Sequence, residues 1–324
     1  MSDVAAGEGF GLLADIGGTN VRFALVAPGS SEPEQAISYR GADFVGFEQA
    51  VRAYLQATGP PQVRRAAIDV ATAITGDLVR LTNSPWAFSI EQTRRQFGFE
   101  RLLVLNDFAA LARSLPTLPP EDLRQVGRGR CEPRRAKALI GPGTGLGVSG
   151  LVPCGEGWTA LEGEGGHTAF SPMTEREDAV LSVLREGYGH VSTERLASGP
   201  GLVNLYEALC RLDHEVPRGL EPGQISEVGM AGSDRHCVEA LEMFCAVLGT
   251  AAANLAVTLG ARGGLYIGGG IVPRLGEWFD TSPFRRRFEH KGRFSSYLAA
   301  VATLVITAEN PALRGLAAAL AGDG

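Results

Sequence analysis

Apolar positions along the chain recur at two periods, separated by glycine-rich punctuation. "LLADIGGTNVRFALV", Leu12 to Val26, runs apolar, glycine turn, apolar, and predicts a hairpin from Phe10 to Val26 that opens a sheet. "RRAAIDVATAI", Arg64 to Ile74, reads as a buried strand. "LLVLNDFAALARSL" starts as a strand at Leu102 and turns helical from Asp107, with apolar spacing at Phe108, Leu111, Ala112 and Leu115. The Pro-, Gly- and Arg-rich stretch "PTLPPEDLRQVGRGRCEPRR" follows as the candidate boundary between two halves.

The second half reopens in the manner of the first. "AKALIGPGTGLGVSGLV", Ala136 to Val152, repeats strand, glycine turn and strand, and an offset of 125 residues lays Thr19 on Thr144 and Gly18 on Gly143. Asp15 then meets Ile140, so the acid is not repeated. Helical periods run from Glu175 to Leu184 and from Gly201 to Leu212, and "GGLYIGGGIV" reads as a strand entering a third glycine turn. A final helix spans Pro311 to Leu320. "FCAVLGTAAANLAVTLGA", Phe244 to Ala261, carries no charge and has the length of a membrane span. Its Ala, Thr and Gly content and the central Asn254 predict instead a buried helix in a large core.

Composition narrows the class. At 324 residues, with 44% hydrophobic and 20% charged residues, the chain can hold two domains or one duplicated domain. A net charge of −6 supplies no field that gathers nucleic acid or anionic membrane, so neither is an expected partner. The five cysteines (Cys131, Cys154, Cys210, Cys237, Cys245) are odd in number and lack CxxC spacing, which predicts reduced thiols and a cytoplasmic setting. "MSDVAAGEGF" has neither the basic nor the apolar region of a secretory signal.

Adjacent glycines bare the backbone N–H groups, so a phosphate can approach with no Cβ in the way. In the first turn Thr19 adds a hydroxyl and Asp15 a carboxylate, which sits beside phosphate only if a cation such as Mg²⁺ lies between. "GPGTGLG" offers Thr144 and its flanking glycines, while Gly268 to Gly270 suit the flat face of a base or ribose. GxxxxGK[ST] is absent, and the spacing GxGxGxG does not meet GxGxxG. Asn106 and Asp107 stand where a strand passes into a helix, a place for ligands and equally for an N-cap, and Asp107 suits either role. In "EGEGGHTAF", His167 lacks partners at metal-ligand spacing, so polyol hydrogen bonding is the more natural chemistry. Glu194 completes a capping box begun at Ser192 or accepts from a polyol. Trp86 and Phe88 read as core, and Arg285, Arg286 and Arg287 as a solvated helix face.

Taken together, "ADIGGTN", "TNSPWAFS", "LNDFAA", "IGPGTGLGVSGLV", "EGEGGHTAFSP", "ERLASGPGLVNLYEAL", "GGLYIGGGIVPR" and "FEHKGRFSSYL" resemble, in order and over nearly the whole chain, the bacterial ATP-dependent glucokinase family of the sugar kinase/hexokinase/actin superfamily. The resemblance implies an α/β fold of two ribonuclease H-like domains flanking an interdomain cleft. The small domain would comprise residues 1–115 plus 308–324, and the large one 116–307. It implies Asp107 as the base that takes the proton of the glucose 6-hydroxyl. Asn83, Asn106, Glu164, His167 and Glu194 would join Asp107 in holding the sugar. Ala14, Asp15, Ile16, Gly17, Gly18 and Thr19, with Gly141, Gly143, Thr144 and Gly145, would face the ATP phosphates, and Gly268, Gly269 and Gly270 the adenosine. Asp15 would hold Mg²⁺ through water, and a homodimer is expected. Repressor/kinase-type sugar kinases share an EGGH-like segment but typically add a cysteine-rich zinc motif, which is absent here. The remaining alternatives are a kinase for mannose or fructose, and a non-catalytic sensor of ATP or sugar. The presence of Asp107, Asn106 and all three turns argues against lost catalysis.

Overall fold

A computed structural model describes residues 9–60, 62–81 and 84–322. The chain folds as two units, one of Met1–Leu118, Cys154–Glu162 and Ala308–Gly324, the other of Pro119–Pro153 and Gly163–Thr307.

The first unit is built on a five-stranded sheet. β1 (Phe10–Ile16), β2 (Asn20–Val26) and β3 (Pro33–Arg40) form an antiparallel meander, and β4 (Val63–Val70) then lies parallel to β1. After the small ribbon of β5 (Leu78–Arg80) and β6 (Ala87–Ser89), β7 (Arg101–Asn106) runs parallel to β4, giving the order β3-β2-β1-β4-β7. The expected strand from Arg64 to Ile74 stops at Val70. Val70 pairs with Ile16 and with Asn106, where both neighbours end, so residues 71–74 have no ladder to extend. Helix α1 (Phe47–Thr58) covers one face, where Phe23 stacks on Phe47 and Tyr54. Trp86 and Phe88 are buried in that same layer, as expected of core residues. The C-terminal helix (Pro311–Ala321) covers the other face, burying Leu313, Leu316 and Leu320 against Leu13, Ala24 and Ala67. It also packs on α3 (Asp107–Ser114), closely enough that a side chain at Gly315 would strike the Ala110 carbonyl. Helix α2 (Ile90–Phe97) completes this unit, capped by the Ser89 hydroxyl on the Gln92 N–H.

The second unit repeats the hairpin opening. β9 (Lys137–Pro142) and β10 (Leu146–Cys154) pair antiparallel; β12 (Leu265–Ile267) lies parallel to β9, β13 (Thr303–Ile306) parallel to β12, and β8 (Leu123–Val126) antiparallel to β13. Of β11 (Gly157–Gly163), all but the last residue groups with the first unit, whereas the sequence reading keeps 116–307 together. Helices α4 (Glu175–Gly187), α5 (Gly199–Leu212), α6 (Pro222–Met230) and α7 (Arg235–Leu259) share one core with these strands. The apolar stretch that could imitate a membrane span lies in α7, and 72% of its most apolar window is buried in this core. Four short helices, α8 (Ile271–Leu275), α9 (Trp278–Thr281), α10 (Phe284–Glu289) and α11 (Ser295–Ala299), follow β12.

The arginines of α10 correct an expectation. Arg285 is buried and donates to the Val301 and Ala299 carbonyls and to the Thr303 hydroxyl. Arg287 pairs with buried Glu177, so only Arg286 lies on a solvated face. The backbone carbonyls that end the β13 region need donors, and a guanidinium supplies several from one side chain.

Candidate active site

Parallel pairing sets the candidate residues of the first unit. Asp15 on β1 stands in register with Asp69 on β4, and Asp107 follows one residue past the end of β7. Three carboxyl groups therefore share the C-terminal edge of the sheet, where open α/β sheets bind ligands. Arg22, opposite Asp15 on β2, donates from Nη1 to Asp15 Oδ2 at 2.9 Å. Asp69 is fully buried, and its oxygens receive no hydrogen bond from any N–H or hydroxyl among the described residues. Its pKa is driven well up, by burial first and then by the charges of Asp15 and Asp107.

The N-cap of α3 is Asn106 and not Asp107. Asn106 Oδ1 accepts from the Phe108 N–H at 3.0 Å and the Ala109 N–H at 3.3 Å, which leaves its amide NH₂ as the outward donor. Asp107 is the first helical residue, half-buried, at the positive end of the helix dipole. Gly18 and Thr19 are exposed at the tip of the first hairpin, while Ala14 and Ile16 are buried and present only backbone there. Beside the tip, Gly17 and Thr19 line a cavity of about 300 Å³ together with Arg40, Ser84 and Trp86. Asn83 lies outside the described residues.

In the second unit the β9–β10 hairpin presents Gly143, exposed Thr144 and Gly145 between the last paired residues, Pro142 and Leu146. The first hairpin spans four residues between its last pair, Ile16 and Val21. The repeat therefore runs at offset 125 on the returning strand and 126 on the outgoing one, which places Asp15 against Gly141 rather than Ile140. Neither register supplies a second acid. The third glycine turn packs on the second: Gly268 donates to the Ile140 carbonyl at 2.9 Å. Gly269, at φ +75°, sits where any side chain would strike the Pro142 carbonyl. Gly270 continues the turn, exposed.

Glu194 is no capping-box residue, because Ser192 makes no side-chain cap bond. Its Oε2 instead accepts from the Leu146 N–H at 2.8 Å, which ties it to the β9–β10 hairpin. Glu164 precedes and His167 ends a single turn of 3₁₀ helix, both exposed, with Oε2 and Nε2 4.0 Å apart. Among the described residues no group of three His, Cys, Asp or Glu is placed to hold a metal directly. Sequence reasoning missed Asp69, Arg22 and Arg40. A lone acid inside the apolar run "AAIDVAT" was the available signal for Asp69, because a buried polar residue demands an explanation.

A family model described as glucokinase matches residues 12–323. The chain belongs to the glucokinase family. A glucokinase of Chromobacterium violaceum is 56% identical over 311 residues, covering 96% of this chain and 89% of the relative. The Bifunctional protein glk of Burkholderia pseudomallei is 52% identical over 315 residues, 97% of this chain and 49% of the relative's length. A solved glucokinase structure from an Antarctic psychrotroph superposes with a TM-score of 0.90 at 36% identity, covering 98% of this chain and 100% of that one. The fold is that of the actin/hexokinase-like sugar kinases, as the resemblance implied. Family membership carries with it the activity expected of the motifs, ATP-dependent phosphorylation of glucose.

Proposed function

We propose that this glucokinase-family chain transfers the γ-phosphoryl group of ATP in line to the 6-hydroxyl of glucose, with Asp107 as the general base. The observation that carries this reading is the position of Asp107 in the first turn of α3, at the sheet edge it shares with Asp15. As a carboxylate there it would accept the hydroxyl proton as the oxygen attacks, a contribution of about 10²–10⁴-fold. The Asn106 amide would donate to a neighbouring hydroxyl. Glu164, His167 and the second oxygen of Glu194 would hold the remaining ones.

The turns at Gly17–Thr19 and Gly143–Gly145 would bind phosphate oxygens through backbone N–H groups, and Gly268–Gly270 would lie against adenosine. Mg²⁺ would suit the first turn, where a cation between the Asp15 carboxylate and the nucleotide phosphates would balance their charge. Asp15 would hold it through water, and when bound it neutralises charge on the transferring phosphate. Positioning and charge stabilisation supply most of the rate in such transfers. We place the enzyme in the cytoplasm, which its five free thiols suit, and as a homodimer, which sedimentation would test.

The deciding experiment is Asp107→Ala in a coupled assay with ATP, Mg²⁺ and a panel of hexoses, alongside calorimetry. Turnover should fall by at least about 10²-fold while glucose binding stays measurable. Near-normal turnover in that variant would remove Asp107 from its role, and a higher kcat/KM for fructose or mannose would remove glucose.

A further inference from the structure

Three nucleophile-bearing side chains meet in the second unit, at the opposite end of β9 from its glycine turn. Lys137 opens β9, Tyr266 lies on the adjoining strand β12, and Cys131 stands in the connection ahead of them. Lys137 Nζ donates to Tyr266 Oη at 3.0 Å and lies over the ring, 5.0 Å from its centroid. Cys131 Sγ is 3.9 Å from the same oxygen. The two distances share one atom, so Sγ and Nζ lie within about 7 Å, in reach of an acyl group passed between flexible side chains.

The three residues differ in access. Tyr266 is 3% exposed, whereas Cys131 faces solvent. A charged Lys137 can only donate, so Oη accepts from it and the phenolic proton is left to face Sγ. Burial lowers the pKa of the Lys137 amine, which enlarges its neutral, nucleophilic fraction relative to an ordinary lysine.

We propose that Cys131 and Lys137 form an acyl-relay modification site, at which an acyl thioester is captured on sulfur and passed to the lysine. In the first step the Cys131 thiolate, its proton lost to solvent, attacks the thioester carbonyl. The new S–C bond forms as the old one breaks, and the departing thiolate takes a proton from solvent. In the second step neutral Lys137 Nζ attacks the carbonyl of acyl-Cys131. The C–S bond breaks, Tyr266 or water protonates the leaving sulfur, and the nitrogen sheds one proton. The products are an amide on Lys137, a restored Cys131 thiol and a free thiol from the donor. Nothing is oxidised or reduced.

The chain carries its own control, because its only lysines are Lys137 and Lys291. Burial lowers the pKa of both, but Lys291 bonds to Asn254, and no cysteine takes part in its described hydrogen bonds. The intact chain is incubated with acetyl-coenzyme A and acetylation of each lysine is followed by peptide mass spectrometry. Lys137 should be modified at least about tenfold faster than Lys291, and Cys131→Ser should erase that excess while leaving glucose turnover unchanged. Lys137→Arg should accumulate a hydroxylamine-labile acetyl group on Cys131. Equal modification of Lys137 in the Cys131→Ser chain, or no excess over Lys291, or no thioester in Lys137→Arg, would each overturn the relay.

Discussion

Asn106 caps a helix and is proposed to bind glucose, two roles that substitution can separate. Its carbonyl caps α3 through bonds of 3.0 and 3.3 Å to the N–H groups of Phe108 and Ala109, and its NH₂ is assigned to the sugar. Asn106→Ala loses both. Removing such a cap costs about 1 kcal/mol of stability. One neutral hydrogen bond to a sugar hydroxyl is worth about 1 kcal/mol, or roughly fivefold in KM. Asn106→Asp keeps the cap, since a carboxylate oxygen accepts from the same two N–H groups and its charge suits a helix N-terminus. It removes the donor, however, and brings a fourth carboxyl to an edge already holding Asp15, Asp69 and Asp107. Urea titration should therefore find Asn106→Asp near wild type and Asn106→Ala weaker, while both raise KM for glucose. Equal stability losses in the two variants would show that the amide oxygen does not cap the helix. A wild-type KM in Asn106→Asp would show that the NH₂ group does not serve the sugar.

Three further outcomes follow from packing and charge. Gly315→Ala should destabilise by about 1–3 kcal/mol in urea titration, because the new methyl strikes the Ala110 carbonyl between the C-terminal helix and α3. Arg287→Met should cost about 3–5 kcal/mol by leaving the buried Glu177 charge without its cation and with the Met173 N–H as its remaining donor, and adding Glu177→Gln should restore part of the loss. Bonds from Arg176 and then His236 hold the Asp213 carboxyl below its ordinary pKa. A depressed carboxylate contributes stability above its unfolded value, about 4, and loses it as the pH falls through the folded value. The stability gap between wild type and Asp213→Asn should thus be wide at pH 7 and shrink under acid, whereas a gap constant with pH would refute the pairing.

Local pattern revealed the parts of this molecule that depend on local physics. Both hairpins, the helix starting at Asp107 and the buried character of the Phe244–Ala261 run are written in alternation, glycine placement and apolar length. What escaped the pattern depends on partners distant in sequence. The end of β4 at Val70 is set by where β1 and β7 stop, and no residue near Ala71 announces it. Arg285 and Arg287 read as a surface stripe because Thr303 and Glu177, their partners, are 18 and 110 residues away. Asn106 and Asp107 both had the chemistry of a cap, and only the backbone geometry assigned that role to Asn106. The acidic pair of Asp15 and Asp69 exists only through parallel register, which a single strand cannot disclose.

The bond from the Leu146 N–H to Glu194 joins, within one unit, the turn proposed for ATP to a carboxylate proposed for glucose. Leu146 is the first residue after the turn proposed to face phosphate, and Glu194 is proposed to hold the sugar. A nucleotide that immobilises the turn also narrows the positions open to the Glu194 carboxylate, so the ordering cost of holding glucose is partly met in advance. Thermodynamic linkage makes that effect reciprocal: whatever factor ATP adds to glucose affinity through this strand, glucose returns to ATP. The enzyme would then bind its two substrates synergistically, with one main-chain hydrogen bond as the coupling element.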